Sequence, residues 1–293
     1  MNPIECAGVQ KSFPGKHVLR GVDLVIEPGQ VVGLLGENAA GKSTLIKCLL
    51  GLLRLTGGTA RIFGEDAWDL SAAAKARIGY VPQEVQCFPW MRVEQMLRYT
   101  AAFYPAWDDA FCDKLVDRWD LPLDERITNL SPGQLQKLGL VLALSYRPEL
   151  LILDEPVASL DPGARREFLQ TLLELVQDGR TTVLLSTHIT SDLERVADHI
   201  AFMQRGRILL YGELDELKDR FKRIRISASR PLPATFPLTG IVRCETDANS
   251  ALISLTHCND KDLTALRDEL DAAVSIEDLT LEEMYLELHH DSA

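Results

Sequence analysis

Short, branched apolar runs broken by glycine turns dominate the start of the chain. Residues 4–9 and 22–26 read as strands, Pro28-Gly29 marks a turn, and an apolar run at 30–35 ends at Gly36. From 42 to 53 the spacing becomes helical, with Leu45, Leu49 and Leu52 on one face. Helical spacing returns over 84–147, where Met91, Met96 and Leu97 are followed by Phe111, Leu115, Val116 and Trp119. The pattern predicts a mainly helical insertion there. Two fully apolar strands, 150–153 and 181–186, then flank a helix at 165–177. That is a βαβ unit whose parallel sheet is buried on both faces. Past residue 222 the pattern changes again. A strand at 223–227 leads into the proline-rich stretch 231–237, strands at 241–246 and 251–256, and helices at 261–273 and 281–290. The expected organisation is an α/β domain at 1–220, with a helical subdomain at about 84–147, and a small α+β appendage at 221–293.

Composition narrows the function classes. Of 293 residues, 46% are hydrophobic and 25% charged, the balance of a globular chain. Lys and Arg total 31 against 43 Asp and Glu, a net charge of −12. A chain this acidic is a poor general binder of nucleic acid or anionic membrane, and acidic residues also outnumber basic ones from Phe221 onward. The six cysteines form no CxxC pair, so neither a zinc site nor a disulfide framework is expected. No uncharged apolar run is long enough to span a bilayer, and the N-terminal residues lack the apolar core of a signal peptide.

Two motifs carry chemistry. Gly36-Glu37-Asn38-Ala39-Ala40-Gly41-Lys42-Ser43-Thr44 fits the phosphate-loop pattern G-x-x-x-x-G-K-[ST] between a strand and a helix. Backbone N–H groups and the helix N-terminus there offer positive charge to phosphate oxygens. Lys42 is placed to reach the β- and γ-phosphates, and the Ser43 hydroxyl to ligate Mg²⁺. The second motif, Leu150-Leu-Ile-Leu-Asp154-Glu155, ends a buried strand in two carboxylates. Asp154 suits the metal, and Glu155 suits the general base that polarises an attacking water.

With these in place the sequence resembles the ATP-binding subunit of an ABC transporter. Leu130-Ser131-Pro132-Gly133-Gln134 resembles the signature LSGGQ that separates this family from other P-loop ATPases. Five further matches follow from the resemblance. Phe13 stands where an aromatic stacks on adenine, with Val18 nearby. Gln83 matches the Q-loop glutamine that senses the γ-phosphate and the metal, Asp161 the D-loop aspartate, and His188 the switch histidine. The resemblance covers about residues 1–220. It implies a parallel-sheet P-loop core with an antiparallel β subdomain and a helical subdomain. It further implies ATP and Mg²⁺ as ligands, and two ATPase subunits stacked head to tail, identical or homologous. Each ATP then lies between the phosphate loop of one and Ser131–Gln134 of the other. A separate membrane-spanning permease completes the system, holding the chain to the cytoplasmic face of the membrane. The ending 278–288 and the stretch 103–108 are similar to ATPases of ABC-2-type exporters.

Two positions depart from the family pattern. Ala39 occupies a loop position where glycine is usual, and alanine is strained if φ is positive there. Pro132 replaces the first signature glycine and removes one N–H donor, while Ser131 and Gly133 remain. Two rivals stay open at this point. One is a soluble ABC ATPase working on ribosomes or DNA. It is disfavoured by the single cassette, the short interval between Ser43 and Ser131 and the absence of zinc modules. The other is a non-hydrolytic regulatory cassette, which only Pro132 favours.

Overall fold

A computed structural model describes residues 1–177, 179–233, 235–257, 266–267 and 270–289. The chain divides into two compact units, Met1–Tyr211 and Gly212–Ala293, so the division falls ahead of the boundary expected at residue 220.

The first unit holds two sheets. One is antiparallel, with β1 (Ile4–Phe13), β2 (Lys16–Ile26), β4 (Gly57–Ile62) and β5 (Glu65–Asp66) in the order β2-β1-β4-β5. The other has six strands: β3 (Val31–Leu35), β6 (Ile78–Val81), β7 (Leu150–Asp154), β8 (Thr182–Thr187), β9 (His199–Gln204) and β10 (Arg207–Glu213). Their order is β10-β9-β3-β8-β7-β6, and β9, β3, β8, β7 and β6 run parallel. Every residue of β3, β7 and β8 is buried, which is why these strands carry apolar runs without surface alternation. Helix α1 (Lys42–Leu49) lays Leu45, Ile46 and Leu49 into a core shared with Ile4, Val9, Leu24 and Ile62 of the antiparallel sheet and Leu34 of β3. Each such side chain contributes about 1.5–3 kcal/mol of burial.

Helix α1 is shorter than the expected 42–53. Gly51 takes a left-handed φ of 68°, and the Leu52 N–H donates back to Lys47 O at 2.9 Å. A glycine in that conformation closes the last turn and ends the helix. After α2 (Ala72–Lys75), the helical insertion resolves into α3 (Val93–Ala101), α4 (Asp109–Arg118) and α5 (Pro132–Leu144). The βαβ unit follows as β7, α6 (Pro162–Val176) and β8, and α7 (Thr190–Val196) leads to β9.

The second unit takes the last two residues of β10 and continues with α8 (Leu214–Arg220). Strands β11 (Lys222–Ala228), β12 (Ile241–Thr246), β13 (Ser250–Leu255) and β14 (Ala272–Asp278) form an antiparallel sheet in the order β12-β13-β11-β14. Ile224, Ile226, Ile253 and Leu255 pack with Phe236 and Leu266. Helix α9 (Leu281–His289) is capped by Thr280, whose Oγ1 accepts from the Glu283 N–H while its own N–H donates to Glu283 Oε2. Arg223 of β11 pairs with the buried Glu287 of this helix. One expectation is corrected here. Of the helix expected over 261–273, the described residues 266, 267 and 270 are helical, but its last two positions belong to β14, where Ala272 and Ala273 pair with Ala228 and Ser227; residues 261–265 and 268–269 lie outside the described residues. Cys258 and His290 also lie outside the described residues.

Candidate functional site

Strand register assembles the site. In the parallel sheet Leu35 pairs with Thr187, Asp154 with Ser186, and Leu153 with Val81. The residues just past these strand ends are Gly36, Glu155, His188 and Gln83, so four distant segments emerge along one edge. The C-terminal edge of a parallel sheet is where such folds bind ligands.

A cleft of about 400 Å³ opens there. Of the expected residues, Val18, Glu37, Asn38, Ala39, Gly41, Lys42, Ser43, Thr44, Gln83 and Glu155 line it, and Lys16 joins them. Gly36 and Ala40, members of the same loop, are buried and do not line the cleft. A Cβ at Gly36 would sit 2.3 Å from Met203 O, so the strand can pass into the loop there only as glycine. Gly41 has φ 114° and caps α1 without a side chain. The helix's own hydrogen bonds begin with Leu45 N–H to Gly41 O at 2.8 Å. The N–H groups of Lys42, Ser43 and Thr44 are therefore not consumed within the helix, the arrangement that favours an anion.

Lys42 is 5% exposed. Its Nζ donates to Gly36 O at 2.6 Å and Glu37 O at 3.3 Å, and lies 3.3 Å from Glu155 Oε1. Glu155 Oε2 lies 2.9 Å from His188 Nδ1. A carboxylate only accepts, so that contact places the ring proton on Nδ1. Glu155 has a left-handed φ of 50°, held by its N–H donating to both O and Oγ of Ser186 at 3.1 Å. Strain of that kind persists only where surrounding contacts enforce it. The Ser186 hydroxyl also donates to Asp154 Oδ1 at 2.6 Å, and Ser43 Oγ donates to the same oxygen at 3.0 Å. Tyr80, partly buried and near Asp154, has its phenol pushed up to about 12, by desolvation first and by that carboxylate second.

The donor set fits Mg²⁺. It offers one hydroxyl and one carboxylate, both hard oxygens, with the Gln83 amide at the rim of the cleft. An ion that keeps waters and phosphate oxygens needs few protein ligands. Among the described residues no cluster of three His, Cys, Asp or Glu competes as a metal cage.

Other expected residues stand apart. Phe13 ends β1, is 40% exposed and carries the Lys11 ammonium 4.9 Å above its ring; it is not among the residues lining the cleft. Ser131 to Gln134 start α5 and do not line the cleft either. Ser131 is the helix N-cap in a reciprocal box with Gln134, and Pro132 occupies the first helical position. No helical hydrogen bond is lost there, so Pro132 fits this backbone without disturbing it. Asp161 caps α6, accepting from Gly163 and Ala164 N–H groups, and the Ala164 bond leads in holding its carboxyl below the usual range.

Ala39 has φ 69°, the strained case. Two effects oppose one another in Ala39→Gly. Relief of left-handed strain gains about 1–2 kcal/mol. The added freedom of the unfolded chain costs about 0.4–1 kcal/mol. Strain is the larger, so the substitution should raise Tm by about 1–2 °C. A lower Tm in a thermal melt would contradict this.

Sequence reading missed Ser186 and Lys16. A serine inside an apolar strand gives no signal of its own, whereas Lys16, directly after the Gly15 turn, could have been suspected.

A profile of the ABC transporter family matches residues 19–158. The chain is 32% identical to the daunorubicin resistance ATP-binding protein DrrA3 of Streptomyces coeruleorubidus, over 97% of this chain and 95% of that protein. It is 34% identical to the Nod factor export ATP-binding protein I of Cupriavidus metallidurans, over 74% of this chain and 73% of that one. A solved ATP-binding subunit of an ABC transporter superposes with a TM-score of 0.68 at 30% identity, covering 74% of this chain and 92% of that structure. The chain belongs to the ATP-binding proteins of the ABC transporter family.

Proposed function

We propose that this chain hydrolyses ATP as one half of a two-subunit ATPase and so drives a separate membrane-spanning permease, in an exporter of the ABC-2 type. The observation that carries the reading is the contact series Lys42–Glu155–His188 set beside Ser43–Asp154, all at one sheet edge.

Lys42 binds the phosphates by exchanging Gly36 O, Glu37 O and Glu155 for phosphate oxygens. The α1 N-terminus and the loop N–H groups orient them. Ser43 and Asp154 would hold Mg²⁺, with Gln83 close to it. When bound, the ion offsets charge on the β- and γ-oxygens. Glu155, released by Lys42, accepts a proton from the attacking water. His188 keeps the carboxylate turned toward the cleft through Oε2. The hydrogen bond from Ser186 to Asp154 and those from the Glu155 N–H to Ser186 keep the two carboxylates in separate roles.

Ser131 and Gly133 are absent from the cleft lining, and this supports completion of each site by the signature of a second subunit. Among the described residues no helix is long and apolar enough to cross a membrane, which supports a separate permease. Export is supported by the Nod factor export relative, and the match to the daunorubicin resistance protein DrrA3 spans almost the whole chain, second unit included.

The test is hydrolysis by the full chain with Mg²⁺ and ATP, with self-association followed in parallel. Ser131→Ala should slow turnover roughly 10- to 100-fold, the worth of one hydrogen bond to a charged group. It should weaken ATP-dependent association and leave ATP binding by the monomer unchanged. Undiminished turnover in Ser131→Ala would overturn the shared site.

A further inference from the structure

We propose that Val85 is a positioning residue for Gln83, seated in a notch that Gly139 opens on α5. The inference rests on the reading of Gln83 as a residue that meets the bound nucleotide and metal.

Glycine is among the poorest helix formers, yet Gly139 lies inside a helix of thirteen residues. Its φ is ordinary, so backbone geometry does not require it. Space does. A Cβ at Gly139 would stand 2.5 Å from Cγ2 and 3.0 Å from Cγ1 of Val85. Both methyls branch from a stiff Cβ, so no small rotation clears the overlap. Filling the notch must move Val85 as a whole.

That movement reaches Gln83. Residues 83–87 form no helix or strand, and among the described residues no hydrogen bond anchors them. On the other side the segment is pinned at Val81, which pairs with Leu153 in the sheet. Gln83 therefore sits midway between a fixed strand end and the notch. Pro82, with its locked φ, stands between Gln83 and the strand, so little of a shift can be absorbed there. The same α5 has Ser131 as its N-cap. The notch thus ties the loop that meets this chain's own nucleotide to the helix whose start would meet the nucleotide of the neighbouring subunit.

The test uses the full chain with ATP and Mg²⁺. Gly139→Ala should lower kcat on the order of tenfold, as a small misplacement of a reacting group does. KM for ATP should change less than about twofold, since the phosphate loop is untouched. Adding Val85→Ala removes the other half of the clash and should restore most of kcat. In a Gln83→Ala background, Gly139→Ala should cost nothing further, because both act through one side chain. The backbone amide NMR shifts of residues 83–87, which need no turnover, should move in Gly139→Ala and return when Val85→Ala is added. Unchanged rate and unchanged amide shifts in Gly139→Ala, with hydrolysis slowed in Gln83→Ala, would overturn the notch alone. Failure of Val85→Ala to rescue would do the same. A Gln83→Ala chain that hydrolyses ATP as the unaltered chain does would overturn the reading of Gln83 beneath it.

Discussion

Glu155→Gln should bind ATP and hydrolyse it about 1,000-fold more slowly, within the range that a positioned general base contributes. The substitution is nearly isosteric. It keeps the left-handed turn at φ 50° and the bonds from the Glu155 N–H to Ser186, because both belong to the backbone. The side-chain amide can still accept through its oxygen from Lys42 or His188. It cannot take a proton from water. Binding should therefore survive and only the chemical step should fail.

The arrangement makes the expectation sharper than a motif match would. Glu155 is 6% exposed and lies between a lysine at 3.3 Å and a histidine at 2.9 Å. Coulomb attraction to the lysine at that distance is strong in a poorly solvated site. On the proposed reading the loop lysine turns to phosphate by leaving this carboxylate, and the arrival of ATP frees the base. With glutamine the Lys42 attraction is weaker, and the affinity for ATP should hold or rise. The measurement is single-turnover hydrolysis beside equilibrium binding of ATP. Turnover within tenfold of the unaltered chain would remove Glu155 from the role of base.

Much of the first unit is legible in the sequence because its central strands are buried on both faces. Runs such as 150–153 cannot be mistaken for alternating surface strands, and the phosphate loop has fixed residue types at fixed spacing. The antiparallel layer is harder to read. Strand β1 extends to Phe13, but its register shifts between Cys6 and Val9 and again between Lys11 and Ser12, and each bulge breaks the period of two. Strand β14 is hidden differently. Ala272 and Ala273 favour a helix by local propensity, and only pairing with β11 makes them a strand. Strand β10 lies at a sheet edge, where its half-exposed pattern gives little contrast.

Within the site, the residues that carry charge are readable and their wiring is not. Asp154 and Glu155 are adjacent in sequence, yet one bonds Ser43 and the other lies beside Lys42 and His188. Alternating strand direction and the left-handed turn at Glu155 separate them. Ser186, which bonds to both, becomes visible only once β7 and β8 are set in register. Phe13 is the opposite case: its place in the motif order is clear, but the fold leaves it outside the cleft lining, covered on one face by Lys11.

Lys42→Ala should weaken ATP binding about 100-fold and reduce turnover at saturating ATP by at least as much. The first loss is that of charge-assisted bonds to phosphate oxygens in a site where the lysine is almost fully desolvated. The second is the loss of the same cation from the charge that develops on the γ-phosphoryl oxygens. Glu155 would lose its cation while remaining buried, keeping only His188 at 2.9 Å. A buried carboxylate stripped of its partner is costly, and it repels the phosphates that enter beside it. Lys42→Ala and Glu155→Gln should then be strongly non-additive for binding: with the carboxylate neutralised, part of the affinity lost with the lysine should return. A calorimetric double-mutant cycle checks this. Strict additivity would mean that Lys42 and Glu155 act on the nucleotide independently, and that their contact is not the latch that holds the base until ATP arrives.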